Sequence, residues 1–166
     1  MGRPAAVAYL TAAILIVADQ LSKFWIVQIA GLRQSGDHIE LSNLMDFTMV
    51  WNRGVSFGLL RSPDGQETIR WLLALFAATI SVALILWVRK ARRTWTGLGI
   101  GFIIGGAVGN LIDRVRLGHV IDFIDFGDIG FHFVFNVADA AINVGVAILL
   151  IETFLTADKD RAVKPH

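Results

Sequence analysis

Four stretches of this chain stay apolar over the roughly 20 residues needed to cross a bilayer: about 5–30, 69–88, 94–112 and 131–154. Between them lie two long loops, about 31–68 and 113–130, and one short basic link. The first loop has a different rhythm. Met45, Phe47, Met49 and Trp51 alternate with Asp46, Thr48, Val50 and Asn52, the period of a half-buried strand. Gly54 and Gly58 then flank Val55, Ser56 and Phe57, which suggests a tight bend and return. The pattern predicts an all-α membrane protein of four transmembrane helices, with a small extracytoplasmic β-cradle in the first outer loop. One integral membrane domain, 1–166, accounts for the whole length.

Composition agrees with this pattern. The chain is 55% hydrophobic and only 17% charged, where a soluble domain carries about 25% charge. A cleaved signal peptide is the rival reading of the first stretch, because residues 5–18 resemble a short apolar core behind Arg3. Against it, the apolar pattern resumes through Phe24, Trp25, Ile26 and Val27, and no small-residue cleavage site follows. A retained span is expected.

Charge sets the expected orientation. The link between spans two and three reads Arg89-Lys90-Ala91-Arg92-Arg93, and the tail carries Lys159, Arg161 and Lys164. Under the positive-inside rule these belong in the cytoplasm with Arg3, so both termini are inside and both long loops face outward. The five tryptophans fall mostly near span ends, as an aromatic belt would.

This topology gathers the embedded polar residues at one level. Span one runs outward and carries Asp19 roughly 21 Å along its length, in the outer half of the bilayer. Span three delivers Asn110, Asp113 and Arg114 to the outer interface; span four begins there with Asn136 and Asp139, and Asp122 lies in the loop between. Asp19 and Lys23 share a helix face at i,i+4 and suit an ion pair. On span three, Gly97, Gly101, Gly105 and Gly109 recur every fourth residue, with Gly99 and Gly106 beside them. This spacing lets helix backbones approach closely in lipid; a phosphate-binding loop is excluded because no Gly-Lys-Ser/Thr follows.

An ionised carboxylate in or beside hydrocarbon is a functional hypothesis by default, and Asp122 and Asp139 both lie in strongly apolar surroundings. The chain has no Cys, which excludes disulfides, thiolate metal sites and a Cys nucleophile. Its four histidines, His38, His119, His132 and His166, lack metal-ligand spacing. Two nearby carboxylates share one proton, so one activates a water while the other polarises a carbonyl and helps an amine leave. That chemistry needs no metal or other cofactor. Asp125 and Asp128 are rivals to Asp122 for the loop position. The bland alternative for each acid is a helix–helix hydrogen bond. A small proton-coupled membrane transporter is the alternative from another class, although the acids cluster at one face and no internal repeat is evident.

Five strings carry a resemblance: Asp19-Gln20-Leu21-Ser22-Lys23; Asn52-Arg53-Gly54-Val55-Ser56-Phe57-Gly58; Gly105-Gly106-Ala107-Val108-Gly109-Asn110-Leu111-Ile112-Asp113-Arg114; Gly118-His119-Val120-Ile121-Asp122-Phe123; and Phe135-Asn136-Val137-Ala138-Asp139. In this order they resemble the signature blocks of bacterial lipoprotein signal peptidase, or signal peptidase II. The resemblance implies a four-span inner-membrane aspartic protease that cuts diacylglyceryl-modified prolipoproteins just before the lipidated cysteine, on the outer side. It implies a catalytic pair at Asp122 and Asp139, with Asp19, Lys23, Asn52, Gly54, Gly106, Asn110, Arg114, Asn136 and Ala138 in support. Asn52 and Arg114 would bind the substrate backbone, and Asn110 and Asn136 would steady the pair. Val55-Ser56 stands where the family favours small residues such as Ala. The expected partners are the prolipoprotein and membrane lipids, with no nucleic acid, and the chain is expected to work as a monomer.

Overall fold

The computed structural model describes residues 2–54 and 63–162. The expected bend through Val55, Ser56, Phe57 and Gly58, and His166, lie outside them. In chain order the elements are α1 (Arg3–Gln28), β1 (His38–Ile39), β2 (Asp46–Asn52), α2 (Pro63–Val88), α3 (Thr94–Leu117), β3 (Val120–Phe126), a 3-10 turn (Gly127–Ile129), β4 (Phe131–Phe135) and α4 (Val137–Ala162). Each of the four helices contains a segment long and apolar enough to cross a membrane.

The glycines of α3 explain its central place. This helix packs against α1, α2 and α4, and its small residues form two stripes. Gly97, Gly101 and Gly105 face α1, where an added Cβ would strike the backbone of Pro4, Ala8 and Ala12. Gly99 and Gly106 face α4, against Gly145, Leu149, Ala138 and Ile142. Without side chains between them the backbones meet directly, and dispersion contacts hold the helices together in a solvent as apolar as they are. The outward faces are correspondingly greasy. Leu10, Ile14, Val17, Leu21 and Phe24 recur along one exposed side of α1, while Ala5, Ala8, Ala12, Asp19 and Lys23 are buried on the other.

At one end of the bundle sits an antiparallel sheet in the order β1-β2-β3-β4. The strand expected from the alternation at 45–52 is β2, but its sheet is not confined to the first loop. β3 and β4 come from the loop between α3 and α4, and β2 pairs with β3 so that Val50 faces Asp122 and Asn52 faces Val120. Ile26 and Leu32 pack under the sheet against Met49, Ile121 and Phe123. The edges of Trp25 and Phe123 flank the Phe47 ring at 6.0 and 5.8 Å.

α2 begins at Pro63 rather than near 69, and α4 runs on to Ala162; the two helix boundaries beside the acids also differ from the hydropathy pattern. α3 continues to Leu117, so Asp113 and Arg114 lie on the helix. It stops at Gly118, which adopts φ +83 and donates its N–H to the Arg114 carbonyl, a left-handed cap suited to glycine. Residues 131–135, expected to open the fourth span, form β4 instead, and α4 starts at Val137. The cause is Asn136: its Oδ1 accepts the Asp139 N–H at 2.9 Å and its carbonyl accepts the Ala140 N–H at 3.1 Å. This is an N-cap three residues before an acid.

Candidate active site

Asp122 sits midway along β3 and is 1% exposed. Its neighbours account for the burial: Val120, Ile121 and Phe123 are core residues, and β2 and β4 flank the strand. Asn52, across on β2, donates to Asp122 Oδ2 at 2.9 Å. The amide of Asn52 is held in this sense by Gly54, whose N–H donates to Asn52 Oδ1 at 2.8 Å. Gly54 has φ +88, a conformation in which any Cβ is strained. Asn136 donates to the other oxygen, Asp122 Oδ1, at 2.6 Å.

Asp139 lies in the first turn of α4 and is half-buried. Asn110, about two turns before the end of α3, donates to Asp139 Oδ1 at 2.8 Å. Asn110 Oδ1 in turn accepts from Asn136 Nδ2 at 3.1 Å and from Lys23 Nζ at 3.3 Å. The two asparagines therefore connect the two acids: Asn136 contacts Asp122 and the Asp139 backbone, and Asn110 contacts Asp139 and Asn136. Arg114, one turn beyond Asn110, stands within electrostatic reach of Asp139, Asp122 and Asp113.

Burial pushes the Asp122 carboxyl up from its ordinary 3.8 to about 7. The hydrogen bonds from Asn52 and Asn136 and the charge of Lys23 pull the other way, while the neighbouring charge of Asp139 adds to the rise. A cleft of about 430 Å³ opens beside Asp139, lined by Phe133, Phe135, Ile142 and Asn143.

Beneath the pair lies a buried ionic cluster. Lys23 Nζ is 2.9 Å from Asp19 Oδ2 and 2.7 Å from Asp113 Oδ2, with all three side chains at most 3% exposed. Gln20 Nε2 also donates to both acids, at 3.1 and 3.0 Å. No buried side-chain nitrogen or oxygen among the described residues lacks a partner, as desolvated charge requires. Gly106 lets α3 approach the Ala138 carbonyl, and Gly109 leaves room for the Asp19 carboxylate. Ala138, 1% exposed, fills the gap between them.

The structure thus brings Asp122 and Asp139 together with Asp19, Lys23, Asn52, Gly54, Gly106, Asn110, Arg114, Asn136 and Ala138 at one end of the bundle. The rival acids are engaged elsewhere or open to solvent. Asp125 accepts from Thr48 Oγ1 at 2.7 Å and from the Gly127 N–H at 2.8 Å, and Asp128 is exposed. No group of His and acidic residues among those described has the arrangement of a metal site. Sequence reasoning brought Asp113 to the level of the site with Asn110 and Arg114 but gave neither it nor Gln20 a role there. The usable signal was helical spacing: Asp113 follows Asn110 by three, and Gln20 sits between Asp19 and Lys23.

Comparisons with known proteins identify the family. A family model described as Signal peptidase (SPase) II matches residues 11–155. A lipoprotein signal peptidase of Caulobacter vibrioides is 48% identical over 153 residues, spanning 92% of this chain and 89% of that protein. One from Rhizorhabdus wittichii is 40% identical over 89% of this chain and 85% of its own. A bacterial membrane enzyme solved by the in meso method at 2.3 Å resolution superposes with a TM-score of 0.77 at 27% identity, covering 97% of this chain and 94% of that one. This chain belongs to the signal peptidase II family.

Proposed function

We propose that the chain is an aspartic endopeptidase in which Asp122 and Asp139 are the catalytic pair. Its substrate is a diacylglyceryl-modified prolipoprotein, cut just before the lipidated cysteine. The observation that carries this reading is the two-asparagine bridge: two carboxylates from different elements are tied into one hydrogen-bonded unit, beside a cleft.

In the singly protonated pair Asp122, with its carboxyl near pKa 7, keeps the proton and Asp139 carries the charge. Asp139 takes a proton from a water, whose oxygen attacks the scissile carbonyl carbon. Asp122 gives its proton to the carbonyl oxygen. As the tetrahedral gem-diol collapses, Asp122 takes back one hydroxyl proton, the C–N bond breaks, and the proton taken up by Asp139 passes to the departing amine, which restores the starting protonation of the pair. Asn52 and Arg114 bind the extended peptide, with the edge of the sheet as its cradle. The apolar wall of Phe133, Phe135 and Ile142 suits an acyl chain reaching the site from the bilayer.

The enzyme is one integral membrane unit in the bacterial inner membrane and works as a monomer: among the described residues each buried polar side chain of the site already has its hydrogen-bond partner. Both termini face the cytoplasm. This orientation rests on the basic link Arg89 to Arg93, which lies at the end of the bundle opposite the acids. Single cysteines at position 90 and position 128 test it: only the second should react with an impermeant thiol reagent on intact spheroplasts.

The deciding experiment is cleavage of a diacylglyceryl-modified prolipoprotein by purified protein in detergent. Asp122→Asn and Asp139→Asn should each abolish cleavage with helicity retained. Full activity in either variant rejects the assignment.

A further inference from the structure

Two backbone hydrogen bonds flank the acids in equivalent ways. The N–H of Ile121, the residue before Asp122, donates to Asp113 Oδ2 at 3.2 Å. The N–H of Ala138, the residue before Asp139, donates to Asp19 Oδ1 at 3.0 Å. The two accepting carboxylates are tied to each other twice, through Lys23 Nζ at 2.7 and 2.9 Å and through Gln20 Nε2 at 3.0 and 3.1 Å. A continuous path of short polar contacts therefore runs from the backbone of β3, through α3 and α1, to the backbone of α4.

None of these four side chains has a part in the chemical step described above. Two carboxylates share one ammonium, buried where charge is heavily penalised. A well-packed apolar cluster would hold three helices together without that penalty, so simple adhesion is a poor account of it. Apolar contact is also non-directional. An ionic cluster accepting two specific N–H groups fixes direction and distance at both backbones.

We propose that Asp113 is a positioning residue: through Lys23 and Gln20 it locks the backbone before Asp122 to the backbone before Asp139, and so sets the separation of the two carboxyl groups. The proposal rests on the reading of Asp122 and Asp139 as the catalytic pair. Apart from the Asn136 side chain, which bonds to Asp122 and to the Ile121 carbonyl, β3 and α4 are joined by a turn and β4, whose pairing with β3 shifts register between Ile124 and Phe126. The clamp adds a connection that holds the two backbones themselves, on the residue before each acid.

Asp113→Asn tests this. The variant keeps the shape and one acceptor oxygen, but it loses the charge that holds Lys23. It also turns an amide N–H₂ toward Gln20 Nε2 or toward the Ile121 N–H, donor against donor. A misplacement of about 1 Å costs about 10²-fold in rate, so kcat per folded molecule should fall by about that factor while KM stays within about twofold of wild type. The pH profile of kcat should also move, because the charge coupling within the pair depends on its separation. A structural role would reduce only the yield of folded protein. Should Asp113→Asn not fold, Gln20→Met removes one of the two cross-links and leaves Lys23, Asp19 and Asp113 in place. A smaller loss of kcat with the same displacement of the pH profile is then expected. Wild-type kcat and pH profile in the folded variant, or a loss carried by KM alone, overturns the proposal. Asp122→Asn assayed in parallel separates the two readings. Activity there rejects the catalytic pair itself, whereas an inactive Asp122→Asn beside an unimpaired Asp113→Asn rejects only the clamp.

Discussion

Asn136 donates through Nδ2 to Asp122 Oδ1 at 2.6 Å, and the same side chain caps α4 by accepting the Asp139 N–H at 2.9 Å. One amide thus ends a strand, starts a helix and touches both acids. Few residue types could do this. An aspartate offers no donor to Asp122, a serine is too short to reach both, and only an amide carries a donor and an acceptor on one rigid plane.

Asn136→Ala should therefore fail in two ways. Losing the cap destabilises the protein by about 0.5–2 kcal/mol. Losing the bond to Asp122, worth about 1.5–3 kcal/mol where charge is involved, should lower kcat by about 10- to 100-fold. Asn136→Asp should retain the cap but not the rate, and it turns an acceptor toward Asp122, Ile121 and Asn110 where the amide donated. Thermal denaturation and steady-state kinetics on the two variants separate the roles; a wild-type kcat in folded Asn136→Asp would mean that the donor to Asp122 is unimportant.

Gly106→Ala should be far more harmful than an alanine substitution usually is. The new methyl would strike the Ala138 carbonyl and lie 2.7 Å from Ile142 Cγ1. Backbone cannot yield as a side chain can, so α4 must move away from α3 and carry Asp139 off Asn110. Overpacking of this kind costs about 1–3 kcal/mol. Activity should fall more steeply than Tm. A control is Gly36→Ala: no atom lies within 4 Å of the added methyl, so any penalty there comes from its φ of +98 and should leave kcat unchanged.

The four helices were legible because runs of about 20 apolar residues have few other uses. The sheet was legible only in part. β2 announces itself by strict alternation, but β3 reads Val-Ile-Asp-Phe-Ile-Asp-Phe, where Asp122 and Asp125 fall on opposite faces and spoil the period. β4 is so apolar that it merges with the span it precedes; no window of hydropathy separates Phe135 from Val137. The pairing of β2 with β3 crosses some 70 residues and leaves no local trace. Asp122 and Asp139 stood out as carboxylates in apolar strings. Asp113 did not, because at the end of an apolar helix, next to an arginine, it resembles an ordinary solvated charge. Its burial follows from packing against α1 and β3.

Arg70 offers a test of how Arg114 is held. From α2 it donates to the Arg114 carbonyl at 2.7 Å and to the Val115 carbonyl at 3.0 Å, satisfying the C-terminal end of α3 where a cation is favoured. Its guanidinium also covers the Trp71 ring at 4.7 Å. Arg70→Met should lower Tm modestly, by an equivalent of about 1 kcal/mol. It should also raise KM more than it lowers kcat, because Arg114 is placed to bind substrate in the proposed mechanism. Arg114→Gln should raise KM about tenfold, the worth of one charge-assisted hydrogen bond. Glu67 pairs with Arg70 at 3.1 Å but is 62% exposed, so Glu67→Gln should change neither quantity measurably. A KM unaffected in both arginine variants would remove Arg114 from the substrate site.

The raised carboxyl of Asp122 predicts how stability and rate depend on pH. Below 3.8 the group is protonated in the folded and unfolded chain alike and contributes no slope. Between 3.8 and about 7 the folded chain keeps a proton that the unfolded chain has released, so rising pH favours unfolding. Above about 7 both states are ionised and the slope vanishes again. The stability tied to this proton is therefore fully present in acid and lost as pH climbs toward neutrality, opposite to a salt-bridged carboxylate. Other groups titrate in the same range, so the quantity to measure is the difference in Tm between wild type and Asp122→Asn from pH 4 to pH 9. Wild type should lose ground to the variant up to about pH 7 and then run parallel with it. The same proton is the one donated to the scissile carbonyl, so kcat should fall about tenfold per pH unit above about 7. If the two Tm curves run parallel throughout while kcat stays flat through pH 8, Asp122 is ionised in the folded enzyme, and the acid and base roles belong the other way round.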